Sequence, residues 1–110
     1  FVYLGDFRGG KGFHLLPRMI EKVLERDRKK IRFIVQCANS EYGKDVPKEV
    51  YELNKLAEIF PDNLILISER LSDEDYLRLF AFSDAVMIPY TSNGFREGTS
   101  NIFTEAAALG

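Results

Sequence analysis

Cysteine, histidine and tryptophan are nearly missing from this chain. Among 110 residues there is one cysteine, Cys37, one histidine, His14, and no tryptophan. A lone cysteine excludes an internal disulfide and a thiolate zinc site, and a lone histidine excludes a His-rich metal centre. An excess of one charge is missing too. Fifteen basic side chains against 17 acidic ones leave a net charge of −2. No basic excess points to nucleic acid, and no acidic tail points to a cationic partner. The apolar runs stop far short of the roughly 20 residues that cross a bilayer, and no charged-then-apolar leader pattern opens the chain. The expectation is a protein of the reducing cytosol. What is plentiful is core material: 45% of the residues are hydrophobic, with nine Phe and five Tyr, which excludes wholesale disorder. Position 1 is Phe, already inside a strand pattern, and Gly110 falls where a helix would stop. The expectation is a single partial domain over residues 1–110, cut at both ends.

Periodicity divides the chain into alternating strands and helices. Phe1–Leu4 reads as a strand closed by Gly5, followed by a loop with four glycines between Gly5 and Gly12. A helix is expected from about His14 to Arg28, with Leu16, Met19, Ile20, Val23 and Leu24 on one face and Pro17 tolerated in the first turn. Ile31–Cys37 reads as a second strand. Asp45 is the expected cap of a second helix, with Pro47 near its first turn. Val50, Leu53, Leu56, Ala57 and Phe60 form its face, and Pro61 ends it. Leu64–Ile67 is a third strand. Ser72 opens a capping box with Asp75, before a third helix carrying Tyr76, Leu77, Leu79 and Phe80. Ala85–Ile88 reads as a fourth strand, stopped by Pro89, and Asn101–Leu109 as a fourth helix. Strict alternation with nearly all-apolar strands predicts an α/β fold: a Rossmann-like parallel sheet in the order 3-2-1-4 with helices on both faces. In that order the winding reverses between strands one and four, and ligands bind outside the strands' carboxyl ends at such a reversal. The loops 6–12 and 90–98 converge there.

Those two loops carry the chemistry. In the first, glycines let backbone N–H groups approach an anion at the following helix's positive end, with Arg8 and Lys11 adding charge; a flexible turn with solvated cations is an equal alternative. The loop starts like a P-loop, Gly5-x4-Gly10-Lys11, but Gly12 stands where Ser or Thr would hold magnesium. The second segment runs Glu97-Gly98-Thr99-Ser100-Asn101-Ile102-Phe103-Thr104-Glu105. Gly98, Thr99 and Ser100 offer N–H groups and hydroxyls at a helix start, which suits a diphosphate. A carboxylate one turn into the helix can accept from paired ribose hydroxyls, and one in the preceding loop can meet a sugar. The plain alternative is Ser100 as an N-cap between two solvated glutamates.

Taken together, G-x5-K-G-F-H-L-L at the front and E-G-x6-E-A-A-A-L-G at the end resemble the donor-binding half of GT-B glycosyltransferases, more narrowly the large retaining family 4 (group 1). Leu79-Phe80-Ala81-Phe82-Ser83-Asp84-Ala85 is similar to that family's L-Y-x-x-A-D-A segment. The resemblance runs in order through essentially the whole chain. It implies a nucleotide diphosphate sugar as donor substrate, a protein-based diphosphate clamp with no metal or other cofactor, and an acceptor-binding N-terminal domain outside these residues; it leaves peripheral membrane association of a parent chain open. Position by position it implies that Lys11 contacts the diphosphate and Glu97 lies near the transferred sugar. Gly98 and Thr99 give backbone contacts, with Ser100 beside them and Gly10 and Gly12 in the front cradle. Glu105 binds the ribose hydroxyls, and Leu71 lies where backbone groups meet the nucleobase. One departure is plain: Asp6 stands where the family has Arg. Asp6 would repel a diphosphate, and Arg8 is the candidate replacement.

Two other classes compete. A P-loop-like nucleotide hydrolase would need a hydroxyl at position 12. A non-enzymatic receiver-like or interaction module would need an acidic cluster after strand one and an Asp after strand three, where the chain has Asp6 and Ser68-Glu69. For the remaining residues plain roles are expected: Cys37 as a small apolar group at a strand end, His14 as a helix-start residue, Lys29 and Lys30 as solvated. Asn39, Ser40 and Tyr42 edge the ligand crevice.

Overall fold

The computed structural model describes residues 1–5, 11–37, 46–91 and 105–108. Three strands, β1 (Val2–Tyr3), β2 (Phe33–Gln36) and β3 (Leu64–Ile67), alternate with three helices, α1 (Leu16–Asp27), α2 (Lys48–Ile59) and α3 (Asp73–Phe82). Residues 105–108 are helical as well. The strands form an open, wholly parallel sheet in the order β1-β2-β3, with Val2 opposite Ile34 and Phe33 opposite Leu64. A fourth strand was expected over Ala85–Ile88. The chain instead makes one isolated parallel bridge, Val2 to Val86. It is held by Val2 N–H donating to the Ala85 carbonyl at 2.9 Å and Met87 N–H donating to the Val2 carbonyl at 2.8 Å. Pro89, two residues beyond Met87, has no N–H with which to extend a ladder.

Side-chain alternation along the strands feeds two cores. Tyr3, Phe33, Val35, Cys37 and Leu64 pack with Leu16, Ile20 and Leu24 of α1 and Leu53 and Leu56 of α2. Val2 and Leu4 pack on the opposite face with Phe80 of α3, joined by Ile34, Tyr76, Leu79, Val86 and Ala106. The second face is covered less completely. Ile65 on β3 is 46% exposed, because α3 packs over β1 and Ile34 of β2 instead. Leu77 lies on α3 as expected, but is 47% exposed. Positions 76, 79 and 80 share a stripe, whereas position 77 lies about 100° round the helix from position 76.

The helix starts differ in kind. Ser72 caps α3, its hydroxyl accepting from Asp75 N–H at 3.2 Å, while the Asp75 carboxylate faces Arg78 at 3.8 Å. At α2 the cap position belongs to Pro47, in extended conformation with no side-chain cap bond; Asp45, the expected cap, lies outside the described residues. The expected start of the first helix at His14 is a 3-10 turn over Phe13–Leu15, with His14 exposed, and α1 proper begins at Leu16 with Pro17 buried in its first turn. Cys37 is buried, and Lys29 and Lys30 are exposed.

Candidate functional site

The carboxyl ends of the strands carry the residues of interest. Gly12 has φ +73°, a left-handed conformation that suits glycine. A Cβ placed on it would lie 1.7 Å from the Pro89 carbonyl oxygen. The backbone at the end of the front loop therefore presses directly on the exit from Val86. Phe13, the next residue, packs against β1, its ring 5.8 Å from that of Tyr3.

Lys11 bridges the same two segments. Its Nζ donates to the Tyr90 hydroxyl at 3.1 Å and lies 4.3 Å from the centroid of the Tyr90 ring, a cation–π arrangement. A flexible cation is thus held beside Tyr90 at the mouth between β1 and the Val86 segment.

Glu105 joins from the helical stretch 105–108. Its Oε2 accepts from the Tyr76 hydroxyl at 2.9 Å. Tyr76 is fixed in turn by an edge-to-face contact with Phe80, the centroids 4.9 Å apart and the planes at 81°. Burial pushes the Tyr76 phenol well above its ordinary range, and the hydrogen bond and negative charge of Glu105 add to that, with a smaller contribution from Tyr90. Gln36, Arg70, Leu71, Asp73, Tyr76, Leu77 and Glu105 line a cavity of about 620 Å³ at the ends of β2 and β3, within the range of small-ligand sites.

Of the residues singled out in the sequence, Lys11, Gly12, Leu71 and Glu105 fall at this one end of the sheet. Arg8, Gly10, Glu97, Gly98, Thr99 and Ser100, with Asn39, Ser40 and Tyr42, lie outside the described residues. Tyr76, Tyr90, Gln36 and Arg70 were not read as site residues. Tyr76 belongs to an apolar stripe, and nothing in helical spacing separates a tyrosine that packs from one that also donates. Tyr90 did carry a signal, as an aromatic hydroxyl immediately after the proline that ends the fourth apolar run. Position 12 also bears on the P-loop alternative, because the close approach of Pro89 leaves no room for a Ser or Thr side chain there.

A second cavity, about 730 Å³, opens at the strands' amino ends, where Arg28, Lys29, Lys30 and Arg32 face Phe82 and Asp84. It is larger and more basic, yet none of the expected site residues lines it. Among the described residues, no group of three His, Cys, Asp or Glu side chains could hold a metal ion, and no helix is long and apolar enough to cross a membrane. No protein-family model matches the chain, and a search of curated proteins gives no match.

Proposed function

We propose that this chain is the nucleotide-sugar-binding part of a retaining GT-B glycosyltransferase of the group 1 kind, transferring a sugar from a nucleotide diphosphate sugar to an acceptor held by a further domain. The observation that carries this reading is the convergence of Lys11 and Glu105. They belong to two motifs at opposite ends of the sequence, yet both border one end of a parallel sheet, Lys11 bound to Tyr90 and Glu105 to Tyr76. The bridge from Val2 to Val86, on the side of β1 away from β2, supports a Rossmann-like order 3-2-1-4 with the ligand at the reversal of winding.

In this reading Lys11 stabilises the negative charge that grows on the diphosphate as the glycosidic bond breaks. Swinging from the neutral Tyr90 hydroxyl to a phosphate oxygen exchanges a neutral partner for an anionic one. Glu105 accepts from the ribose hydroxyls, and the cavity beside Leu71 takes the nucleoside. Arg8, Gly10, Gly98, Thr99 and Ser100 complete the cradle, and Glu97 stabilises the sugar's developing positive charge; these roles rest on the motif. With the acceptor-binding half supplied elsewhere, residues 1–110 alone carry donor binding without transfer.

Calorimetry with UDP, GDP and ADP tests the reading. One diphosphate is expected to bind, and Lys11→Ala to weaken it by about 1.5–3 kcal/mol, the worth of a hydrogen bond to a charged group. The bare nucleoside should bind unchanged. Absence of binding by all three diphosphates, or equal losses for diphosphate and nucleoside, would overturn it.

A further inference from the structure

The acceptor assigned to the ribose is not a free carboxylate. Oε2 of Glu105 is engaged by the Tyr76 hydroxyl at 2.9 Å, while Glu105 also borders the 620 Å³ cavity with Gln36, Arg70 and Leu71. We infer that Tyr76 is a positioning residue: by holding one oxygen of Glu105 it aims the other at the ligand and so sets the preference for a ligand that donates a ribose hydroxyl. This rests on the nucleoside diphosphate reading of the site.

Three features support the assignment. First, the Tyr76 ring is already anchored by Phe80 at 81°, so the hydroxyl is delivered from a rigid body. Phenylalanine would keep that packing, and what tyrosine adds at this position is a donor. Second, a phenol fixes a carboxylate without cancelling its charge, whereas a lysine or arginine at the same place would compete with the ligand as an ion-pair partner. Third, the phenol stays protonated. Burial and the adjoining carboxylate both disfavour its ionised form, so Tyr76 remains a donor through neutral pH. A carboxylate with one oxygen fixed and the other turned to the cavity accepts from a ligand hydroxyl and repels a ligand anion. It therefore selects for a ribose over a 2′-deoxyribose.

The test compares UDP, GDP and ADP with their 2′-deoxy counterparts by calorimetry on the full-length wild-type protein, Tyr76→Phe, Glu105→Gln and the double variant. For whichever diphosphate binds, the wild type is expected to prefer the ribose form by about 10-fold or more, the scale of a hydrogen bond to a charged acceptor. Tyr76→Phe should cut that preference about 3- to 10-fold while leaving 2′-deoxy affinity and melting temperature nearly unmoved. In the Glu105→Gln background the same change should add nothing. A wild-type ratio in Tyr76→Phe, equal weakening of both ligands, or an undiminished effect in the Glu105→Gln background would overturn the inference and leave the diphosphate site standing. If the wild type binds no diphosphate, the site reading falls and this inference with it. A ligand-free check is the phenol titration: Tyr76 should ionise at lower pH in Glu105→Gln than in the wild type, and an unmoved titration would show that the pair does not form.

Discussion

At Gly12 two distant segments meet with no space between them. A side chain there would occupy left-handed backbone, which costs about 1–2 kcal/mol for a non-glycine residue, and would overlap the Pro89 carbonyl, 1.7 Å from the added Cβ. Gly12→Ala is therefore expected to lose about 2–5 kcal/mol in urea unfolding, since overpacking adds about 1–3 kcal/mol of its own. It should also disturb Lys11, the residue before it, so ligand affinity and stability fall together. Cys37 supplies a second residue-scale expectation. Burial raises its thiol from 9.0 to about 11. Between these values the unfolded chain has released the proton and the folded chain still holds it. The native state then binds more protons, and stability falls as pH rises. The loss starts near pH 9 and grows to at most about 2 kcal/mol by pH 11. Urea midpoints measured across that window should fall more steeply for the wild type than for Cys37→Ala. At neutral pH a thiol reagent should label Cys37 only as fast as the protein opens.

At the scale of elements, the turns at the strands' amino ends are pinned by one side chain. The Asn63 amide donates to the Arg28 carbonyl and, at 2.9 Å, to the Ile31 carbonyl. It thereby ties the segment after α1 to the entrance of β3. Removing both bonds by Asn63→Ala should cost about 1–3 kcal/mol at the usual net worth of about 0.5–1.5 kcal/mol each. Amide exchange should speed up first around residues 28–32, and uniform acceleration would show that the asparagine acts on the whole fold. How far the elements could be read in advance follows the same physics. Helix faces were legible where the stripe is buried on a single sheet, as with Leu16, Ile20 and Leu24 of α1 and Leu53 and Leu56 of α2. The segment at Val86 looks like a strand from its composition, yet pairing depends on available partners. Among the described residues Val2 bonds it on one side, and Pro89 closes it. In the site, charge and glycine marked Lys11, Gly12 and Glu105. Their partners Tyr90 and Tyr76 were hidden, because a hydroxyl on an aromatic ring reads as packing until the fold brings an acceptor to it.

At the scale of the whole molecule, two cavities formed by the described residues lie at opposite ends of the sheet. Net charge alone favours the amino-end cavity, where Arg28, Lys29, Lys30 and Arg32 outnumber Asp62 and Asp84. The carboxyl-end cavity is mixed, with Arg70 set against Asp73 and Glu105, and Lys11 is bound to Tyr90 at the same end of the sheet. A bare polyanion responds to long-range field and should settle on the basic end, weakly and with strong salt dependence. A nucleoside diphosphate asks for more than charge: an acceptor for its sugar hydroxyls, a wall for its base, and one cation within reach of its phosphates. In the proposed reading the carboxyl end supplies these through Glu105, the Leu71 side of the cavity and Lys11. Hydrogen exchange with and without whichever of UDP, GDP and ADP binds separates the two. Protection is expected at Gly12, Gln36, Leu71, Tyr76 and Tyr90, with residues 28–32 unchanged, and at about 100-fold excess over Kd the whole chain should gain about 2.7 kcal/mol. Inorganic tripolyphosphate should leave the first set unprotected and lose its hold on residues 28–32 at about 0.5 M salt, where the screening length is only a few ångströms. Protection by the nucleotide at residues 28–32 alone would place its binding at the basic end and remove Lys11 and Glu105 from the site.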